Sequence, residues 1–193
     1  MKIDKKYQWL IFFILLLFAI LLYKRIFKSD SESNCPIENI VINVSDLPDH
    51  HWEEYRSGNS RDTLFKLGNA QMVVAYITPS EGSVTEEAYQ FSNEYEAIKG
   101  YDLMADVWFR SEPLATSWSI LAIPKEISIA PNTYRLECST NTNVRICWYA
   151  ARYGNNAVIF NADMIIIKDR DLFKILEAID RKAQACANMK KNQ

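Results

Sequence analysis

The stretch TYRLECSTNTNVRICWYAARYGNNAVIFN, residues 133–161, decides the fold. It holds three runs rich in β-branched and aromatic residues: Thr133 to Ser139, Val144 to Tyr153 and Asn156 to Asn161. Turn-forming pairs, Thr142-Asn143 and Gly154-Asn155, separate them. Apolar runs of this length broken by such pairs predict successive antiparallel strands. Cys138 and Cys147 sit symmetrically about Thr142-Asn143. A two-residue turn there sets the cysteines opposite each other. Opposed Cβ atoms lie ~4.5–5.5 Å apart and a disulfide needs about 3.5–4.5 Å, so the closer, non-hydrogen-bonded type of pair can carry the bond. Two buried free thiols are the alternative.

Downstream, Asp171 to about Asn188 places Leu172, Ile175, Leu176, Ile179, Ala183 and Cys186 on one helical face. Asp169 or Asp171 can cap the start, and Lys190 and Lys191 suit the negative C-terminal end. Upstream, Glu38 to Val44 reads as a first strand, followed by a turn over residues 45–49. Leu64 to Leu67 and Ala70 to Ile77 read as a hairpin about Gly68-Asn69. Ser83-Val84-Thr85-Glu86 reads as a capping box. It would open a helix with Val84, Ala88, Phe91, Tyr95 and Ile98 on one stripe, ended by Gly100. Tyr101 to Arg110 fits a short helix or a strand, and Ser117 to Ile123 fits a strand before Pro124. Strands in hairpins with two helices give an α+β domain, a mainly antiparallel sheet with the helices packed on it. The order of elements resembles small sheet-and-helix domains of bacterial surface lipoproteins and receptor ectodomains. No motif carries that likeness, so it brings no function and no residues.

Ahead of this domain, Tyr7 to Tyr23 reads YQWLIFFILLLFAILLY without a charge. These 17 residues span roughly 25 Å as a helix, close to the ~30 Å hydrocarbon core. Ile26 and Phe27 lengthen the span if Lys24 and Arg25 snorkel. Tyr7, Trp9 and Tyr23 stand at its ends, where amphipathic rings favour the interface. The run lacks the polar face of an ordinary core helix. It ends in bulky and basic residues rather than the small residues of a cleavage site, so it reads as an uncleaved anchor. The expected organisation is a short cytoplasmic N-terminus (1–6), a transmembrane signal-anchor helix (7–27) in the lipid bilayer, a polar tether (28–36) and one domain (37–193).

Flanking charge does not orient the anchor, because Lys2, Lys5 and Lys6 face Lys24, Arg25 and Lys28. Cysteines do. All four lie beyond the anchor, and none forms a Cys-x-x-Cys pair of the zinc or thioredoxin type. Cys35 and Cys186 stand near the two ends of the domain, which are often close in space. A disulfide there, or between Cys138 and Cys147, implies an oxidising compartment. The domain is thus expected outside the cytoplasm, on a single-pass protein of the cell membrane.

Charge excludes one partner class. Residues 1–28 carry six Lys/Arg and one acid, while residues 29–193 carry 16 Lys/Arg and 23 Asp/Glu, a net −7. An acidic domain repels phosphate backbones, so no nucleic acid is expected.

Chemistry is sparse. His50 and His51 are the only histidines, and with Asp49, Glu53, Asp46 and Glu54 they form the one cluster of metal-ligand types. Adjacent loop histidines seldom converge on one ion. The segment DLPDHHWEEY therefore reads as an acidic surface turn with Leu47 and Trp52 pinned into the core. No nucleophile elbow, P-loop or Gly-x-Gly-x-x-Gly occurs, and no cofactor is called for. Trp118, Trp148 and Tyr149 form a candidate binding surface if exposed; burial is the commoner fate of such side chains. Trp148 and Tyr149 adjoin on a strand and must point to opposite faces. The expected function is a membrane-anchored extracytoplasmic domain that binds a protein or small ligand. The alternatives are a tethered hydrolase using two of the 23 carboxylates, or an accessory subunit of a membrane complex.

Overall fold

The structure, a computed structural model, describes residues 16, 35–49, 51–58, 70–78, 82–110, 118–141 and 144–189. The chain divides into two units, 1–31 and 32–193. The expected membrane helix lies outside the described residues apart from Leu16, which is helical. No helix among the described residues is long and apolar enough to cross a membrane.

The second unit is α+β. Its strands are β1 (Glu53–Gly58), β2 (Ala70–Thr78), β3 (Gly82–Gln90), β4 (Trp118–Ile120), β5 (Thr133–Asn141), β6 (Val144–Tyr153) and β7 (Asn156–Asp163). Its helices are α1 (Glu94–Arg110) and α2 (Asp169–Met189). The strands form one sheet in the order β1-β2-β3-β7-β6-β5-β4, antiparallel at every pairing. The three strands of 133–161 form as their pattern demands, and two residues separate β5 from β6.

Each face of the sheet has its own cover. Strand residues alternate between faces, yet Cys147, Trp148, Tyr149, Ala150 and Ala151 of β6 are all buried. Cys147, Tyr149 and Ala151 belong to the core shared with α2 and the segment 35–47, while Trp148 and Ala150 belong to the core shared with α1. The continuous apolar run of β6 is thus the signature of a strand covered on both sides. The apolar stripe of α2 from Leu172 to Cys186 is buried as its spacing requires.

Two expectations upstream are corrected. Ser83-Val84-Thr85-Glu86 lies inside β3 and caps no helix. Val84 and Ala88, four apart, share a face in a strand as they do in a helix, so their spacing could not discriminate. Val84, Glu86 and Ala88 are all fully buried while Ser83, Thr85 and Glu87 are only partly so, which is period two. The helix begins later, after Asn93, whose Oδ1 accepts the Glu96 N–H at 2.9 Å as an N-cap. Its buried face is Ala97, Tyr101, Met104, Ala105 and Phe109, and Tyr95 and Ile98 are exposed. Gly100 lies within this helix because the Phe91 ring occupies the space of a Cβ there.

Glu38 to Val44 is not a strand. It forms a strap with 3-10 turns at Ile37–Asn39 and Val44–Asp46. Ile40, Val41 and Ile42 are all fully buried, so the run does not alternate. The expected strand Leu64 to Leu67 and its turn at Gly68-Asn69 lie outside the described residues; β2 pairs with β1 and β3, with Gly58 opposite Met72. Residues 59–69 lie outside the described residues. Among the described residues of the expected strand 117–123, Trp118–Ile120 forms the ladder pairs, with β5.

Candidate functional site

The acidic turn does not assemble a metal site among the described residues, where no three potential ligands come together. His50 lies outside the described residues. Asp49 and His51 are exposed. Glu53 accepts the Tyr55 hydroxyl at 2.8 Å, and Glu54 pairs with Arg56, so both carboxylates serve the edge strand β1. Leu47 is buried, and Trp52 donates its indole N–H to the Pro48 carbonyl at 2.8 Å while packing on the core.

All four cysteines are paired. Cys138 and Cys147 are opposite one another in the β5–β6 register, Cα atoms 4.0 Å apart, and are disulfide-bonded. Cys35 is bonded to Cys186, Cα atoms 5.3 Å apart, which joins the start of the strap to the last turns of α2.

The aromatic candidates do not form an exposed platform. Trp148 and Tyr149 do point to opposite faces, but both are buried, because helices cover both sides of β6. Trp118 is half-buried. Trp148 stacks on Trp108 at 5.1 Å between centroids, Trp118 packs on Phe109 at 5.8 Å, and the Arg135 guanidinium lies 4.1 Å over the Phe109 ring. The indole N–H groups of Trp108 and Trp148 and the Ser139 hydroxyl are buried there without a hydrogen-bond partner. On the other face the Tyr149 and Tyr153 hydroxyls meet at 3.0 Å, and burial raises both phenols above their ordinary range.

Among the described residues, no helix covers the α1 side of the sheet at β1 and β2. Strand register places Tyr55, Ala75, Ile77, Ser83, Thr85, Asn161 and Asp163 on that face. Tyr55 and Ile77 are exposed, and the rest are partly exposed. Asp163 accepts both the backbone N–H and the hydroxyl of Ser83, at 3.0 and 2.9 Å, which fixes the corner.

The feature missed in the sequence is a polar nest on the α2 side, centred on Glu86. This carboxyl is fully buried, and one oxygen accepts the Ile42 N–H of the strap at 2.7 Å. The other oxygen has no partner. Beside it, Tyr76 donates to the Ile42 carbonyl. Lys182 donates to the Val41 carbonyl at 3.0 Å and pairs with Asp46 at 2.8 Å. Burial pushes the Glu86 carboxyl up to about 8. Asp46 sits below its usual range: burial opposes this, and the hydrogen bonds from Lys182 and the Asn43 N–H outweigh it. The only sequence signal was an acid at an even position between Val84 and Ala88, legible once those residues are read as a strand. A second buried acid, Asp180 of α2, accepts the Ala130 N–H at 2.8 Å and is raised by burial.

No protein-family model matches the chain, and no curated protein matches it significantly. Solved structures do. The fold resembles that of the extracellular domain of PknH from Mycobacterium tuberculosis. The TM-score is 0.50 over 79% of this chain and 95% of that one, at 14% sequence identity. At that identity the likeness is one of fold.

Proposed function

We propose that this chain is a membrane-anchored, extracytoplasmic binding domain. The observation that carries the reading is the pairing of all four cysteines in two disulfides, because such bonds persist in oxidising compartments. The uncharged stretch from Tyr7 to Tyr23 supports an anchor ahead of the domain. The likeness to a domain described as extracellular agrees with the placement.

Binding is favoured over catalysis by what the buried acids do. Glu86 and Asp180, the carboxyls that burial raises, each accept a backbone N–H of a segment without ladder partners. They staple the fold. The contact surface we assign is the open part of the sheet on the α1 side, around Tyr55 and Ile77. A photo-crosslinking residue at position 77, in native membranes, should give a discrete adduct. The same residue at Lys174, exposed on α2, should give none. Equal labelling at both positions, or none at 77, overturns the surface. Protease added to intact cells should remove the domain; protection until the membrane is opened overturns the placement.

A further inference from the structure

We propose that residues 36–47 form an acid-closed latch, held against the sheet by neutral Glu86 and loosened as Glu86 loses its proton. The strap follows the expected anchor and tether in sequence. Its closure depends on side chains from three elements: Glu86 of β3 on the Ile42 N–H, Tyr76 of β2 on the Ile42 carbonyl, and Lys182 of α2 on the Val41 carbonyl. Gln90 adds a hydrogen bond to the Cys35 carbonyl at 3.1 Å. No β-ladder holds the strap; besides these bonds it is attached by the Asp46 pairs with Lys182 and Arg181, the Arg56 hydrogen bond to the Asn43 side-chain carbonyl, and the burial of Ile37, Ile40, Val41, Ile42 and Leu47.

The cations around Glu86 already have carboxylate partners. The groups facing it are Asp46 on the strap, Glu54 and Arg56 on β1, Tyr76 on β2 and Lys182 on α2, with Arg181 near Asp46. The neighbouring β7 residue is Phe160, which is uncharged. Lys182 is paired with Asp46, and Arg56 with Glu54. An ionised Glu86 is therefore an additional buried anion, with one oxygen lacking any donor. A buried charge left unpaired is costly. Lifting the strap relieves it by admitting water, and the Cys35–Cys186 bond retains one end of the strap.

The direction with pH follows from linkage. Burial in the closed latch pushes the carboxyl up to about 8, and exposure to water returns it to the ordinary Glu range of about 4.3. Between those values the closed form holds the proton that the open form releases. Opening thus becomes easier as pH rises through that window, by up to about tenfold per pH unit, and levels off above it.

Amide hydrogen exchange on the oxidised full chain in detergent tests this. Rates are corrected for the intrinsic pH dependence, and strap peptides are compared with peptides of β6. We expect strap protection relative to β6 to fall between pH 5 and 8 and then to plateau. Glu86→Gln, the neutral isostere of the closed state, should fold and show flat strap protection. A wild-type strap that tracks β6 at every pH overturns the latch. So does the same fall in Glu86→Gln, which would assign the effect to other groups, and so does a Glu86→Gln chain that fails to fold.

Discussion

The two faces of the sheet are built by different means. On the α2 side, buried polar groups attach irregular segments: Glu86 and Lys182 hold the strap, and Asp180 holds Ala130. On the α1 side, aromatic rings stack around Trp148, and the buried indole N–H groups there are left unbonded. Directional bonds can secure backbone that belongs to no ladder, whereas ring packing secures a regular helix on a regular strand. The α2 side should therefore respond to pH and redox state, and the α1 side to the loss of volume.

The largest expected effect breaks the α2 side. Replacing Cys35 and Cys186 by Ser opens a link of sequence separation 151. The loop-entropy relation puts the loss at about 5 kcal/mol. That is comparable to the whole stability of a domain, ~5–15 kcal/mol. Thermal unfolding of the double variant should show a large fall in Tm, and an unchanged Tm would remove the disulfide from this account.

Next comes the α1 side. Trp148→Ala should cost about 3–5 kcal/mol, the usual range for large aromatic truncations in a core. Denaturant unfolding at pH 5 and pH 8 should give the same loss, because the acid opposite Trp148 in the ladder, Glu137, is ion-paired with Arg135 rather than directed at the rings. A loss that varies with pH would erase the distinction between the faces.

The difference also explains what was legible in the sequence. Strands β5 to β7 were readable because ladder partners are adjacent in sequence and turn residues mark their ends. The opposition of Cys138 and Cys147 followed from their midpoint at residues 142 and 143. The buried stripe of α2 followed from its spacing. The strap was not readable: Ile40-Val41-Ile42 is the same β-branched run that a strand would use. Its partners, Glu86 and Lys182, are remote in sequence and are side chains rather than a neighbouring backbone. Glu86 hid β3 in the same way, since an acid at a core position of period two resembles a helix surface residue. Tyr149 is buried under α2 and Trp148 under α1, which no pattern within β6 alone reveals.

A smaller effect sharpens the boundary of α1. Asn93→Ala removes the cap on the Glu96 N–H and should cost about 1 kcal/mol. Ser83→Ala should leave the start of α1 untouched, because Ser83 bonds Asp163 across the sheet. Exchange protection at Glu96 and Ala97 reads this directly: it should drop in the Asn93 variant and stay unchanged in the Ser83 variant.

The central claim is that this domain folds with both disulfides closed, outside the cytoplasm. Non-reducing peptide mapping of protein alkylated in its native membranes tests it most directly. Two linked peptide pairs are expected, Cys35 with Cys186 and Cys138 with Cys147, and no alkylated thiol. Alkylated cysteines at all four positions would contradict it.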